Sequence, residues 1–494
     1  MVIQEKSLKS WMTSSIVKIC LIFFFQKNIT LKIRNKPSRK LKAMNHSAYT
    51  IPVRLSLFLF FAIILYSCSD NDQLFDGGNG TEANPFQIST IEQLQAIGDE
   101  DNLNKHFIQV SNIDASSSVE FQDDRGFRPI GNEAFPFTGT YDGGGYEISG
   151  LVLDHRVDHY GLFGVLKNGQ IRNTRVLDAL QTYDKQTGMG IKQSNFSAPQ
   201  EILIASDDFR TRGRLVGFND GGQISDSHAI GTISSIDGAL MNRTGVLVGY
   251  NRGQIEHSYA QGSGSALGGM LGGLVGGNSG SIKNSYASVS VSAAGTAGGL
   301  AGVNFDDGQI IKSYSTGNVT GNNTAGGLAG SNRGGRIYSS YATGEVWSIF
   351  RSGGLIGIND NGGEILQSYF LGKANGENDV GGITGWNQAG SMITSSFVAG
   401  EVTASAGQLT GDQGPNPAGI AGKNEGTTND AYWDTETTGQ SEGVGEGTHT
   451  GATGLTTEQM TGPAAEQYMP EYDWVNVWRT TEDGYPVLRW QEDE

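Results

Sequence analysis

The chain holds only two cysteines in 494 residues, Cys20 and Cys68. A disulfide scaffold and a thiolate metal cluster are both excluded on that count. Proline is scarce as well, at 11 residues. That excludes a collagen-like or proline-rich disordered chain, although glycine, at 73 residues, is about twice its usual share. Charged residues make up only 17%, with 34 Lys and Arg against 51 Asp and Glu, a formal net charge of −17. With no basic surface to neutralise phosphates, nucleic acid is disfavoured as a partner. The apolar stretches fall short of the roughly 20 residues that a bilayer-spanning helix needs.

The basic residues are concentrated at the N-terminus. Residues 1–67 contain 11 of them and a single acid. The remainder holds 23 basic and 50 acidic residues, a net charge of −27. Arg54 precedes a short apolar run, Leu55 to Tyr66, which reads as a signal peptide rather than a span. Its ending, Leu65-Tyr66-Ser67-Cys68, resembles a bacterial lipobox. The resemblance implies cleavage before Cys68, lipidation of that residue and an outer-membrane lipoprotein of the bacterial cell envelope. Met44 is then the expected true start, with a genuine long leader as the alternative. Asp70, Asp72 and Asp76 with Gly77, Gly78 and Gly80 form a flexible tether.

From residue 161 the chain repeats. Leu-x-Gly or Ile-x-Gly words end at Gly164, Gly217, Gly249, Gly276, Gly302, Gly330, Gly357, Gly385 and Gly422, spaced 53, 32, 27, 26, 28, 27, 28 and 37. The first interval is close to two periods, so a degenerate repeat is expected there. From Gly217 on, an asparagine follows each glycine by two: Asn219, Asn251, Asn278, Asn304, Asn332, Asn359, Asn387 and Asn424. An aromatic follows by ten to twelve, at Tyr259, Tyr286, Tyr314, Tyr341, Tyr369, Phe397 and Tyr432, with His228 in that place once. Glycine-rich words cannot sustain helix. Local alternation indicates strands, and about 27 residues is too short for a propeller blade. The expected fold is all-β: a parallel β-solenoid with two or three short strands per coil. Stacking then explains the columns. Leu and Ile fill the interior, and asparagine forms a structural ladder along the axis.

The Gly-Leu-x-Gly-x-Asn and Ser-Tyr-Ala words resemble the GLUG-motif repeat proteins of bacterial surfaces, over about 270 residues. The resemblance implies a cell-surface or secreted repeat protein, of a kind often attached to adhesins or peptidases, and carries over no catalytic residue.

Both ends of a solenoid need caps. At the N-terminus, Ser89-Thr90-Ile91-Glu92 reads as a capping box, opening a short helix with Ile91, Leu94 and Ile97 inward. Phe137 to Tyr146 reads as a turn between strands, with Ile148 and Leu151 inward. At the C-terminus, Tyr472, Trp474, Trp478, Tyr485 and Trp490 read as a small core closing the last coil, or alternatively as a sugar-binding module. The expected organisation is leader and signal peptide over 1–67, tether over 68–80, N-terminal cap and first coils over 81–160, repeat solenoid over 161–430 and C-terminal cap over 431–494.

A catalytic face would need acids aligned across coils. The position after the ladder asparagine is mixed: Asp220, Arg252, Ser279, Phe305, Arg333, Asp360, Gln388 and Glu425. Asp306, Asp307, Asp360 and Glu364 read as solvated turn acids. His155 and His159, beside Asp154 and Asp158, are too few ligands for zinc. No catalytic residue, metal or cofactor is expected. Residues 180–212, with Met189, Phe196, Pro199 and Phe209, break the pattern as a projecting loop or an eroded coil.

The aromatic column is the candidate binding stripe: Tyr259, Tyr286, Tyr314, Tyr341, Tyr369 and Phe397. Alternation in Tyr341-Ala342-Thr343-Gly344-Glu345-Val346 places Tyr341 on the outer side with Glu345. A bend before the tyrosine would turn it inward instead; Ile337, four residues earlier, tips the balance toward that buried ladder. The functional expectation is a non-catalytic, lipid-anchored protein that adheres to or recognises a glycan or protein. The alternative is a polysaccharide lyase or hydrolase on a β-helix scaffold.

Overall fold

The computed structural model describes residues 74–153, 157–178, 180–181, 210–235, 242–405 and 416–492. Cys68, Met44, the leader, His155 and most of 180–212 lie outside the described residues. So does the beginning of the tether; residues 74–80, by contrast, pack onto the fold, with Phe75 buried against Phe86 and Phe107.

The chain winds as a parallel β-solenoid. One coil passes through Met270–Gly272, Val275–Asn278, Ser281–Lys283 and Tyr286–Ala293. Four strands, rather than the expected two or three, fit one period because glycine corners let the chain turn after three or four residues. At Gly298 a Cβ would stand 1.8 Å from the Ala301 carbonyl, and at Gly299 1.9 Å from that of Gly327. No other residue fits there.

Like strands pair parallel and in register from coil to coil. Ile255 faces Ile282, which faces Ile310, then Ile337, Ile365 and Ile393. All six are fully buried. A second interior column runs through Leu247, Leu274, Leu300, Leu328, Leu355, Ile383 and Ile420. Phe163 pairs directly with Val216. The two coils therefore stack directly, with no degenerate coil between the strands that carry Gly164 and Gly217.

The asparagines line the interior, all at 0% exposure. Each Nδ2 donates to the Oδ1 of the next coil: Asn219 to Asn251 at 2.7 Å, then Asn278, Asn304, Asn332, Asn359, Asn387 and Asn424 at 2.8–2.9 Å. The same amides donate to turn carbonyls such as Gly308 and Gly335, at 3.0 Å. The chain of bonds has one direction, which leaves Asn219 Oδ1 at its head without a donor.

A second ladder, of serine, holds the next corner. Residues such as His257, Asn284, Lys312 and Ser339 adopt φ of 47–49° there, a conformation that costs a non-glycine residue about 1–2 kcal/mol. The serine that follows compensates. Ser258 Oγ donates across the corner to the Glu256 carbonyl at 2.8 Å, and the Ser258 N–H donates to Ser285 Oγ at 3.2 Å. The pattern recurs at Ser285, Ser313, Ser340 and Ser368.

Helix α1 (Ile91–Ala96) covers the N-terminal end, with Ile91, Leu94 and Ile97 in the core. Its capping box is Thr90 with Gln93, one residue beyond the expected pair. Ser89 bonds Asp76 instead, and Gln93 Nε2 donates to Asp76 at 2.7 Å. These bonds hold the Asp76 carboxyl below its ordinary range.

The aromatic C-terminal cap has two parts. Trp433 fills the interior of the last coil against Gly419 and Gly443 and donates to the Gln440 carbonyl at 2.9 Å. Residues 456–492 make up the second part and bond the last coil, the Thr457 N–H donating to Glu436 and the Tyr485 hydroxyl to Asp434. They form helices α2 (Thr457–Met460) and α3 (Ala464–Tyr468) and an antiparallel pair, Trp478–Arg479 with Val487–Leu488. Their side chains build a second apolar cluster with Tyr369, Phe397 and Tyr432 on the solenoid's flank.

Asn304→Ala would strand the Asn278 amide and the Asn332 carbonyl. It is expected to cost about 2–3 kcal/mol in urea unfolding, and Asn219→Ala, at the ladder's head, clearly less.

Candidate functional site

The aromatic column begins each strand after the serine corner, and the next residue points inward. Ala260, Ala287 and Ala342 are fully buried in the main core, whereas Tyr259, Tyr286 and Tyr341 lie outside it. The inward ladder is therefore not what forms. The corner residue and the serine absorb the turn, and strand alternation then places alanine inside and tyrosine outside.

The rings stack along the axis. Successive centroids lie 4.4 Å apart for His228–Tyr259, then 4.9, 4.9, 4.8 and 4.9 Å through Tyr286, Tyr314, Tyr341 and Tyr369, and 5.1 Å to Phe397. The five tyrosine rings lie within 8° of parallel at each step. Strand spacing sets the ring spacing. Burial pushes the His228 imidazole down to about 4, with the Arg175 charge adding to it.

The column divides into two halves. Tyr259, Tyr286 and Tyr314 are half-buried. Tyr369, Phe397 and Tyr432 are 2%, 0% and 7% exposed beneath the C-terminal segment. Trp478 packs against Phe397 at 5.5 Å and Tyr369 at 6.1 Å. Trp490 lies beside Tyr341 and Tyr314, its centroid 6.0 Å and 6.4 Å from theirs and its plane tilted 31° and 30°, and its indole N–H donates to the Ser339 carbonyl at 2.9 Å. The Gln491 amide donates to the Tyr369 hydroxyl at 3.0 Å. Tyr485 donates to Asp434 at 2.7 Å; burial and that carboxylate push its phenol up to about 12.

The turn acids are engaged locally. Asp220 pairs with Arg252 at 3.5 Å, Glu364 with Arg336 at 3.5 Å, and Asp306 accepts from Asn361 at 2.9 Å. Burial raises Asp360. Among the described residues no three metal-ligating side chains converge, and no helix is long and apolar enough to cross a membrane. A cleft of about 560 Å³ beside the first coils is lined by Glu100, Arg128, Glu133, Phe135, Asp158 and His159. His159 is buried there between Thr211 Oγ1 at 2.8 Å and Glu133 at 3.0 Å. Sequence reasoning missed this cleft, since its residues come from separate coils. It also missed the serine ladder and the flank docking of the C-terminal segment. The serine before each aromatic was the available signal for the ladder.

Two consequences are measurable. The folded state holds His228 neutral, so its contribution is present above pH 6.5 and is lost as pH falls toward 4. In denaturant titrations between pH 7 and pH 4, His228→Tyr is expected to reduce the loss of stability. Trp478→Ala should cost about 3–5 kcal/mol of packing, seen as rapid proteolysis after residue 456 while the solenoid's β-sheet circular dichroism persists.

Residues 268–292 and 293–320 match the GLUG motif. Over 135 residues the chain is 31% identical to a protein of Evansella cellulosilytica provisionally named a Gly-rich membrane protein, covering 27% of this chain and 16% of that one. Over 126 residues it is 36% identical to halomucin of Haloquadratum walsbyi, covering 24% of this chain and 1% of the relative. The chain thus spans only a small fraction of the curated relatives it matches. A crystal structure from Bacteroides ovatus, provisionally named an immunoglobulin A1 protease, aligns over 84% of this chain and 96% of its own at 17% identity, with a TM-score of 0.36. The repeat words, the matched motif and the coil geometry agree: the chain is a β-solenoid that carries the GLUG motif over residues 268–320.

Proposed function

We propose that this protein is a non-catalytic recognition or adhesion protein of the bacterial cell envelope, held to the outer membrane by lipid on Cys68 and binding a glycan or protein along its aromatic flank. The observation that carries the reading is the outward ladder, half-buried at Tyr259, Tyr286 and Tyr314 and continuous across coils. A rigid rod with one repeated outer feature suits an extended ligand, because each coil offers the same contact again. The GLUG motif and the names of the relatives, a Gly-rich membrane protein and a halomucin, support a surface location. The signal-like segment before Cys68 supports the anchor.

The enzymatic alternative would use the cleft lined by Glu100, Glu133, Asp158 and Phe135. Release of reducing-end or unsaturated sugars from a polysaccharide panel, abolished by Glu133→Gln, would establish it and displace the recognition reading.

Two measurements test the main proposal. Cells fed labelled palmitate should yield labelled, membrane-bound protein, and Cys68→Ala should yield unlabelled, soluble protein. An array of glycans and envelope or host proteins should show binding that falls at least about tenfold on Tyr286→Ala. An array that is blank for the intact protein sinks the recognition role.

A further inference from the structure

A single sugar ring needs an open aromatic face. The C–H bonds on its apolar side carry positive partial charge and rest on the negative face of an aromatic ring. In the ladder such faces are taken: Tyr286 lies between Tyr259 and Tyr314, 4.9 Å from each. Phe135 differs. It is 49% exposed in the cleft of about 560 Å³ beside the first coils, and no other aromatic ring packs on it among the described residues.

The cleft is preformed. Its walls come from three places: the chain after α1 at Gly98 and Glu100, the segment 128–135, and Asp158 with His159. The middle segment is pinned at its end and within. The Ile130 N–H donates to the Leu162 carbonyl and the Phe137 N–H to that of Val165, each at 2.9 Å. Between them Asn132 Oδ1 accepts from the N–H groups of Ala134 and Phe135 at 2.9 and 3.0 Å. The Gln95 amide accepts the Arg128 N–H and donates to the Arg128 carbonyl, both at 2.9 Å. The Phe135 ring therefore stands on a fixed turn, and a ligand meets it without first ordering the loop. The volume falls within the roughly 300–1,000 Å³ of small-ligand sites.

The polar groups around that ring are mainly acceptors. The Glu100 carboxylate is exposed and has no partner among the described residues. Glu133 gives one oxygen to His159 at 3.0 Å, and Asp158 faces Arg210 at 3.8 Å. Arg128 faces Asp99 at 3.6 Å. Acids engaged in this way keep oxygens for hydroxyl donors while part of their charge is already met. That favours a ring of hydroxyls over a cationic peptide, and like charge disfavours a carboxylated sugar.

We infer that this cleft is a glycan-binding site for neutral or N-acetylamino sugars, which it holds without cleaving. The apolar side of one sugar rests on Phe135, and its hydroxyls donate to Glu100, Glu133 and Asp158. The inference goes beyond the flank reading and does not depend on it, since cleft and ladder share no residue.

The test titrates the full chain, by isothermal calorimetry, with neutral hexose and N-acetylhexosamine trisaccharides and with uronic-acid trisaccharides. At least one neutral or N-acetylamino member is expected to bind saturably, at one site per chain, and to be recovered intact. Its affinity should fall about tenfold on Phe135→Ala and about threefold on Glu100→Gln, and stay within about twofold on Tyr286→Ala. Phe135 and Glu100 are exposed, so both variants keep the fold. No binding of the neutral and N-acetylamino members at millimolar concentration, binding confined to the uronic acids, or binding indifferent to Phe135→Ala overturns the inference. A lysine-rich peptide that binds in their place and is lost on Phe135→Ala overturns it as well, as does cleavage of the bound sugar. A sugar lost on Tyr286→Ala but not on Phe135→Ala overturns the cleft site and leaves the flank reading standing.

Discussion

Parallel, in-register pairing between successive coils is the constraint on which everything else rests. Once Ile282 sits over Ile255 and under Ile310, every residue of a coil lies one strand spacing, about 4.8 Å, from its counterpart. Each interior position must then be self-compatible, because its main neighbour is a copy of itself. Isoleucine meets this by apolar packing. Asparagine meets it because its amide carries a donor and an acceptor, so a buried column satisfies itself rung by rung. A buried column of aspartate would place like charges at the same spacing, which explains why the column is amide and not acid. Corner serines solve the same problem with one hydroxyl that donates within its own coil and accepts from a backbone N–H of the preceding one.

The same constraint generates the aromatic flank. An outward tyrosine repeated at one strand position stacks on its copies whether or not a ligand is present. Stacking alone is therefore a structural outcome. What distinguishes this flank is the unequal treatment of its two halves. The C-terminal segment places Trp478, Trp490 and Tyr485 against the rungs from Tyr314 to Phe397. The segment adds a second apolar cluster outside the main core, so it stabilises the flank without contributing to the solenoid interior.

Much of this was readable beforehand because the solenoid converts sequence periodicity directly into spatial adjacency. The leucine column could be placed inside, glycine at the corners and asparagine in a ladder along the axis without coordinates, and α1 with its three inward apolar residues followed from helical spacing. The errors have local causes. The cap fell one residue late because both Ser89 and Thr90 can cap, and the choice was made by Asp76 taking the Ser89 hydroxyl. The 53-residue interval imitated two periods, but direct pairing of Phe163 with Val216 leaves no room for a coil. Tyrosine was tipped inward on the strength of Ile337, because an interior isoleucine four residues upstream says nothing until the left-handed corner at Ser339 is known.

By itself the sequence determined the solenoid, its period, the identity of its interior columns and the acidic character of the chain, since these depend only on repetition and on which side chains tolerate their own copies. Tertiary structure decided which side of the wall the tyrosines occupy, where the C-terminal aromatics dock, and which acids meet in the cleft beside His159. Those depend on the handedness of a single corner residue and on contacts between residues as far apart as Ser339 and Trp490, for which no periodic signal exists.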